Sequence, residues 1–195
     1  MFPKLIAFDL DYTLWDLWID THVTGPLRQA GDGVVDAYGV PVEFYSDVPG
    51  ILRRLRDQGV FIAACSRTHA PDMARQALKL LRVAGNDDEP PQPAIELFDN
   101  LQIYPGSKLT HFREIHAKTG IPYSQMLFFD DERRNREVEN LGKFIATADP
   151  TELLKFWSKG VVFHLTPTGV DNATFDAGIR AWQISLVLIS SALII

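Results

Sequence analysis

Two aspartates end the first apolar run of the chain. Lys4-Leu5-Ile6-Ala7-Phe8 leads into Asp9, and Asp11 follows two residues later. Carboxylates at the end of a buried strand are costly unless a partner there needs them. Further polar residues stand at the ends of later apolar runs. Ser66, Arg67 and Thr68 follow Val60-Phe61-Ile62-Ala63-Ala64-Cys65, and Asp130 and Asp131 follow Met126-Leu127-Phe128-Phe129. Lys108 opens a helical segment after Tyr104-Pro105-Gly106-Ser107. Four carboxylates brought together repel unless a cation sits among them. Hard oxygen ligands suit Mg²⁺, which takes one or two carboxylates plus waters and a substrate phosphate. A hydroxyl, a lysine and free N–H groups at helix starts suit a phosphate dianion. The set reads as a site for metal-assisted phosphoryl transfer.

Each residue alone has a plainer reading. Asp11 fits a turn and Thr13 a helix cap. Ser66 or Thr68 fits the cap of the next helix, and Lys108 an exposed lysine. Asp130, Asp131 and Glu132 fit first-turn acids facing a helix dipole. Cys65 reads as a strand residue, since no His–Cys pair surrounds it. The histidines at 22, 69, 111, 116 and 164 lack metal-ligand spacing. Trp15, Trp18 and Phe44 read as core or flap packing, with Trp15 or Trp18 as alternative pocket-lining rings.

The elements that must position these residues alternate along the chain. Strands are predicted at 4–8, 60–66, within 95–104, at 125–131 and at 161–165. Helices are predicted at 47–59, 70–85, 107–120 and 132–142, from apolar spacing, Pro71 in a first turn, and Gly59 and Gly120 as stops. This βαβα order predicts an α/β fold, a doubly wound parallel sheet with helices on both faces. Such sheets bind ligands beyond the carboxyl ends of their strands, where every residue above stands. Residues 33–45 predict a small β-hairpin flap around Tyr38-Gly39, and 86–93 a loop rich in acid and proline.

The chain of 195 residues is long enough for one domain with a sizeable core. Its net charge of −6, with no long basic run, argues against nucleic acid or an anionic membrane as partner. One cysteine cannot form an internal disulfide, so a reducing, cytoplasmic location is expected. The first apolar run meets Asp9 too soon for a signal peptide. Residues 181–195 carry no charge, but a spanning helix needs about 20 apolar residues. This tail reads as a docked helix or strand, or as a disordered end.

The stretch Asp9-Leu10-Asp11-Tyr12-Thr13 matches the DxDxT motif, and the chain resembles the haloacid dehalogenase-like hydrolases. FDLDYTLWD, CSRT, IYPGSKLTHF and TGIPYSQMLFFDDERRN, in that order, resemble the magnesium-dependent phosphatase-1 family within it. The resemblance covers about residues 4–142 and resumes near 161–182. It implies a Rossmannoid fold and a Mg²⁺-dependent phosphomonoesterase. Asp9 would be the nucleophile and Asp11 the general acid and then base, with Lys108 offsetting charge on a phosphoaspartate. The main chain of Leu10 would line the phosphate, Ser66 and Lys108 would bind it, and Arg67 would reach the substrate. Asp9, the Asp11 carbonyl and Asp131 would hold Mg²⁺, with Asp130 beside them. Neither the stretch from Asp11 to Ser66 nor that from Ser66 to Lys108 fits a full cap domain, so a minimal cap is expected. An open site suits a phosphorylated protein or phosphosugar; the resemblance points to phosphotyrosine and protein-bound fructosamine 6-phosphate.

One segment departs from the family pattern. Removing residues 143–160 would join Asn140-Leu141-Gly142 to Val161-Val162-Phe163-His164-Leu165, which fits cleanly. The segment reads as an inserted surface helix or as retained intron sequence. The domain is drawn at 1–182, a monomer, followed by an apolar tail at 183–195. Two other classes remain: a phosphate-accepting signalling domain and a non-catalytic binding domain. A receiver domain has no use for an acid two residues beyond the phosphorylated one, whereas a hydrolase has.

Overall fold

Alternation along buried strands divides the core into two layers. The computed structural model describes residues 1–85, 90–142 and 160–192, with side chains to 186. Strand β1 (Leu5–Phe8) opens it and is wholly buried. A flap follows, built from β2 (Arg28–Ala30), β3 (Gly33–Val35) and β4 (Pro41–Val42). Then come α1 (Val48–Asp57), β5 (Phe61–Ser66) and α2 (Pro71–Leu80). A two-stranded ribbon of β6 (Arg82–Val83) and β7 (Gln92–Pro93) precedes β8 (Asn100–Ile103) and α3 (Lys108–Thr119). The chain closes with β9 (Met126–Asp130), β10 (Val162–Leu165) and α4 (Asn172–Ala192).

The main sheet runs β10-β9-β1-β5-β8, all parallel. Ile6 and Phe8 of β1 face a layer with Ile51, Leu52 and Leu55 of α1 and Phe175, Ile179 and Trp182 of α4. Leu5 and Ala7 face the other layer, with Phe112 and Ile115 of α3. Helices therefore cover both faces, as the alternation predicted. Each large aliphatic side chain buried there contributes about 1.5–3 kcal/mol relative to exposure.

The sheet register brings the acids together. Phe8 pairs with Ala64 on one side and Phe129 on the other. Asp9, Cys65 and Asp130 are then level, each one residue further along its strand. By alternation all three point to the α3 face. On α3, Lys108, Phe112 and Ile115 share the buried stripe, so Lys108 is aimed at that same level.

Several boundaries differ from expectation. The second helix ends at Leu80, where Leu81 takes extended backbone; Arg82–Val83, expected as the end of that helix, instead pairs as β6 with β7 (Gln92–Pro93), the last two residues of the expected loop. The flap has three strands, in the order β2-β3-β4. Asp36 organises its turn by accepting the N–H groups of Thr24, Tyr38 and Val40. Arg133–Asn140 is a 3₁₀ helix, not an α-helix. The stop at Gly120 holds: it takes φ 67°, left-handed backbone open to glycine, and closes α3 onto His116. The tail beyond 182 continues α4 to Ala192. The expected insert, 143–160, lies outside the described residues except for Gly160. Among the described residues no helix is long and apolar enough to cross a membrane.

Candidate active site

Asp9 stands at the carboxyl end of the central strand. Its Oδ1 accepts the N–H of Leu10 at 2.8 Å and lies 2.9 Å from Lys108 Nζ. Lys108 is fully buried, lies 3.1 Å from Asp130 Oδ2, and donates to the Cys65 carbonyl. Burial opposes its charge, but Asp9 and Asp130 outweigh that and raise its pKa. Burial pushes the Asp9 carboxyl upward despite the attraction of Lys108, and the Asp130 charge adds to the rise. One ammonium thus serves two buried carboxylates.

Asp130 is held from every side. Asn135 Nδ2 donates to its oxygens at 2.9 and 2.8 Å, and the Glu132 N–H reaches Oδ1 at 2.7 Å. Asp131 instead lines an open cavity of about 330 Å³ together with Asp9, Asp11, Ser66 and Arg67. Burial, then Asp130 and Glu132, push Asp131 up to about 6. Asp9, Asp130 and Asp131 each place an oxygen such that all lie within 4.8 Å of one another. Three acids against one lysine, all hard oxygen donors, fit a small divalent cation.

Asp11 faces the cavity from the turn after β1. Trp15 Nε1 and the Ile19 N–H both donate to its Oδ1, at 2.7 and 3.2 Å. Among the described residues no hydrogen bond is made to Oδ2. Burial raises the carboxyl to about 6, against the Trp15 bond. Directly after Asp11, Tyr12 takes φ 51°, a left-handed turn rare for a large side chain.

Ser66 Oγ accepts the Thr68 N–H at 3.3 Å, and Arg67 Nη1 lies 3.4 Å from Asn135 Oδ1. Of the site residues that the resemblance implies, Lys108, Asp130 and Leu10 stand behind the cavity wall, and Asp9, Asp11, Ser66, Arg67 and Asp131 line it. The Leu10 N–H, expected to line the phosphate, is engaged by Asp9 Oδ1. Cys65 packs in the strand as expected, its thiol pushed up to about 12 by burial. Trp18 lines the cavity, whereas Trp15 is buried behind Asp11.

Sequence reasoning missed Asn135, Asp20 and the Glu132–Arg134 pair. Asp20 accepts the His69 N–H at 3.1 Å, tying the turns after β1 to the loop after β5. Glu132 and Arg134 form a two-pronged pair at 2.8 and 2.6 Å on the cavity rim. No spacing marks these residues. The polarity of Arg133–Asn140 was the only signal for Asn135.

Five parallel strands in this order, with acids beyond their carboxyl ends, make the doubly wound α/β fold that the sequence predicted. A family model described as acid phosphatase matches residues 1–149, and the chain belongs to that family. A HAD-like hydrolase superfamily protein of Schizosaccharomyces pombe is 54% identical over 144 residues, 72% of this chain and 83% of its own length. Human magnesium-dependent phosphatase 1 is 49% identical over 142 residues, 72% of this chain and 74% of its own. Among solved structures, the 3-deoxy-D-manno-octulosonate 8-phosphate phosphatase of Moraxella catarrhalis has a TM-score of 0.50. It is 19% identical, over 97% of this chain and 92% of that one. At that identity the likeness is one of fold.

Proposed function

We propose that the chain is a Mg²⁺-dependent phosphomonoesterase that works through an aspartyl phosphate on Asp9. One observation carries the reading. Asp9 is paired with a buried lysine and grouped with two further acids, while Asp11 faces the same cavity with one oxygen unengaged. The magnesium named for the human relative suits this donor set. Asp9 and Asp131 would hold it, with the Asp11 carbonyl. Asp130 would stand beside them, its oxygens already engaged by Asn135, Glu132 and Lys108. A bound Mg²⁺ supplies charge neutralisation for the phosphoryl oxygens.

An Asp9 oxygen attacks phosphorus, and the bond to the leaving oxygen breaks as Asp11 delivers its proton there. Lys108 steadies the acyl phosphate charge from behind and Ser66 binds a phosphoryl oxygen; the Leu10 N–H joins it once the Asp9 oxygen that holds it turns to phosphorus. Asp11, now a carboxylate, takes a proton from water as that water attacks phosphorus. Inorganic phosphate leaves and Asp9 is regenerated. The Asp11 pKa near 6 suits a group that must both give and take a proton. The open rim and Arg67 fit a phosphate on a larger partner, such as phosphotyrosine in a protein or protein-bound fructosamine 6-phosphate. The buried free thiol fits a reducing, cytoplasmic setting.

Hydrolysis of p-nitrophenyl phosphate with Mg²⁺, with EDTA, and by Asp9→Asn tests the reading. Turnover should need the metal and fall by about 10³-fold or more in the variant, since nothing else supplies the nucleophile. Asp9→Asn with undiminished turnover would exclude the aspartyl phosphate.

A further inference from the structure

Arg67 and Arg134 both line the cavity, and their charges are handled differently. Glu132 takes Arg134 in a two-pronged pair at 2.8 and 2.6 Å, which cancels that charge at the rim. Among the described residues no carboxylate makes an ion pair with Arg67. Its Nη1 instead donates to the amide oxygen of Asn135 at 3.4 Å. Asn135 is 1% exposed and belongs to the 3₁₀ turn Arg133–Asn140.

Hydrogen-bond chemistry decides which way that amide points. Its Nδ2 meets both Asp130 oxygens, at 2.9 and 2.8 Å, and Glu132 Oε2 at 3.4 Å. A carboxylate only accepts and an amide NH₂ only donates, so Nδ2 belongs on that side. Oδ1 is left facing Arg67, whose guanidinium only donates. A flipped amide would set oxygen against carboxylate and NH₂ against guanidinium. The turn is tied down at a second point, where Ser107 Oγ at the start of α3 donates to Glu137 Oε1 at 3.3 Å. The residue type matters as much as its place. An aspartate at 135 would pair with Arg67 and cancel its charge, as Glu132 does for Arg134. A neutral amide fixes the guanidinium and leaves its charge for an arriving anion.

We propose that Asn135 is a positioning residue for substrate binding, which aims Arg67 into the cavity and keeps its guanidinium un-neutralised for the phosphorylated substrate. This role rests on the phosphomonoesterase reading and deepens it. One buried side chain then joins the acid cluster on one side to the substrate-facing cation on the other.

Phenylphosphonate offers a phosphoryl-like group that cannot be hydrolysed, so its binding, followed by calorimetry at saturating Mg²⁺, reads Arg67 without turnover. Arg67→Ala should weaken binding about tenfold, the loss of one charge-assisted contact. Asn135→Ala should weaken it about fivefold, and the double variant no more than Arg67→Ala alone, because the amide acts through the arginine. Folding of each variant is checked by circular dichroism, and Asn135→Ser replaces Asn135→Ala if that chain is unfolded. Losses that multiply in the double variant, or undiminished binding in either single variant, overturn the role and leave Asn135 serving Asp130 alone. Failure of the phosphatase reading would appear instead as p-nitrophenyl phosphate turnover retained in Asp9→Asn. The binding cycle decides the role of Asn135 in either case.

Discussion

Lys108 carries more of the site than its place behind the wall suggests. It lies 2.9 Å from Asp9 and 3.1 Å from Asp130 and is wholly buried. Removing one partner from a buried ionic cluster leaves charges with neither water nor counterion. Lys108→Met keeps the stem volume and removes the charge. Its unfolding free energy should fall by about 3–5 kcal/mol, read from the denaturant midpoint at pH 7. An unshifted midpoint would mean that Asp9 and Asp130 do not depend on the lysine. His111 offers a pH-dependent counterpart. It is fully buried, Nε2 meets the Tyr104 carbonyl at 3.2 Å, and burial, then the charge of Lys108, lower its pKa to about 4. The folded state therefore favours neutral His111. Its contribution is complete above the unfolded value of about 6.5 and is lost as pH falls through 4. The raised carboxylates Asp11 and Asp131 act in the opposite sense, so the wild type alone does not isolate it. The stability gap between wild type and His111→Gln should narrow from pH 7 to pH 4.5. A constant gap would show that the histidine is not held neutral.

At the scale of elements, helix α4 covers β9 and β10 by close approach. An added Cβ at Gly178 would lie 2.5 Å from the Phe129 ring and 3.3 Å from His164. Alanine in a helix interior is ordinarily better than glycine by about 1 kcal/mol. Here the clash should reverse the sign, and Gly178→Ala should destabilise by about 1–3 kcal/mol, seen as a lower Tm. A raised Tm would mean that α4 can move away from the sheet without loss. The 3₁₀ turn Arg133–Asn140 matters for a different reason. It returns Asn135 to Asp130, which immobilises one acid and leaves Asp131 facing the cavity.

For the whole molecule, the site is an electrostatic fault in an otherwise ordinary α/β core. Three acid oxygens lie within 4.8 Å of one another and the one ammonium reaches only Asp9 and Asp130, so a divalent cation should stabilise the folded chain. Mg²⁺ at about 100 times its Kd should add about 2.7 kcal/mol and raise Tm, an effect that Asp131→Asn should largely abolish. A Tm indifferent to Mg²⁺ would separate the acids from metal binding. Sequence alone determined the alternation of strands and helices, and with it the two-faced sheet. It also marked Asp9, Asp11, Ser66, Lys108, Asp130 and Asp131, because each stands at the end of an apolar run or the start of a helix. Those signals are local, and they are legible because burial imposes a period on the chain. Tertiary structure alone decided that Lys108 is a buried bridge, that Asn135 holds Asp130, and that Trp18 rather than Trp15 borders the cavity. It also turned the expected loop at 86–93 partly into strand, through pairing of Arg82–Val83 with Gln92–Pro93. These outcomes depend on sheet register and on contacts between residues far apart in the chain, as with Asn135 and Arg67. No spacing along one segment encodes them.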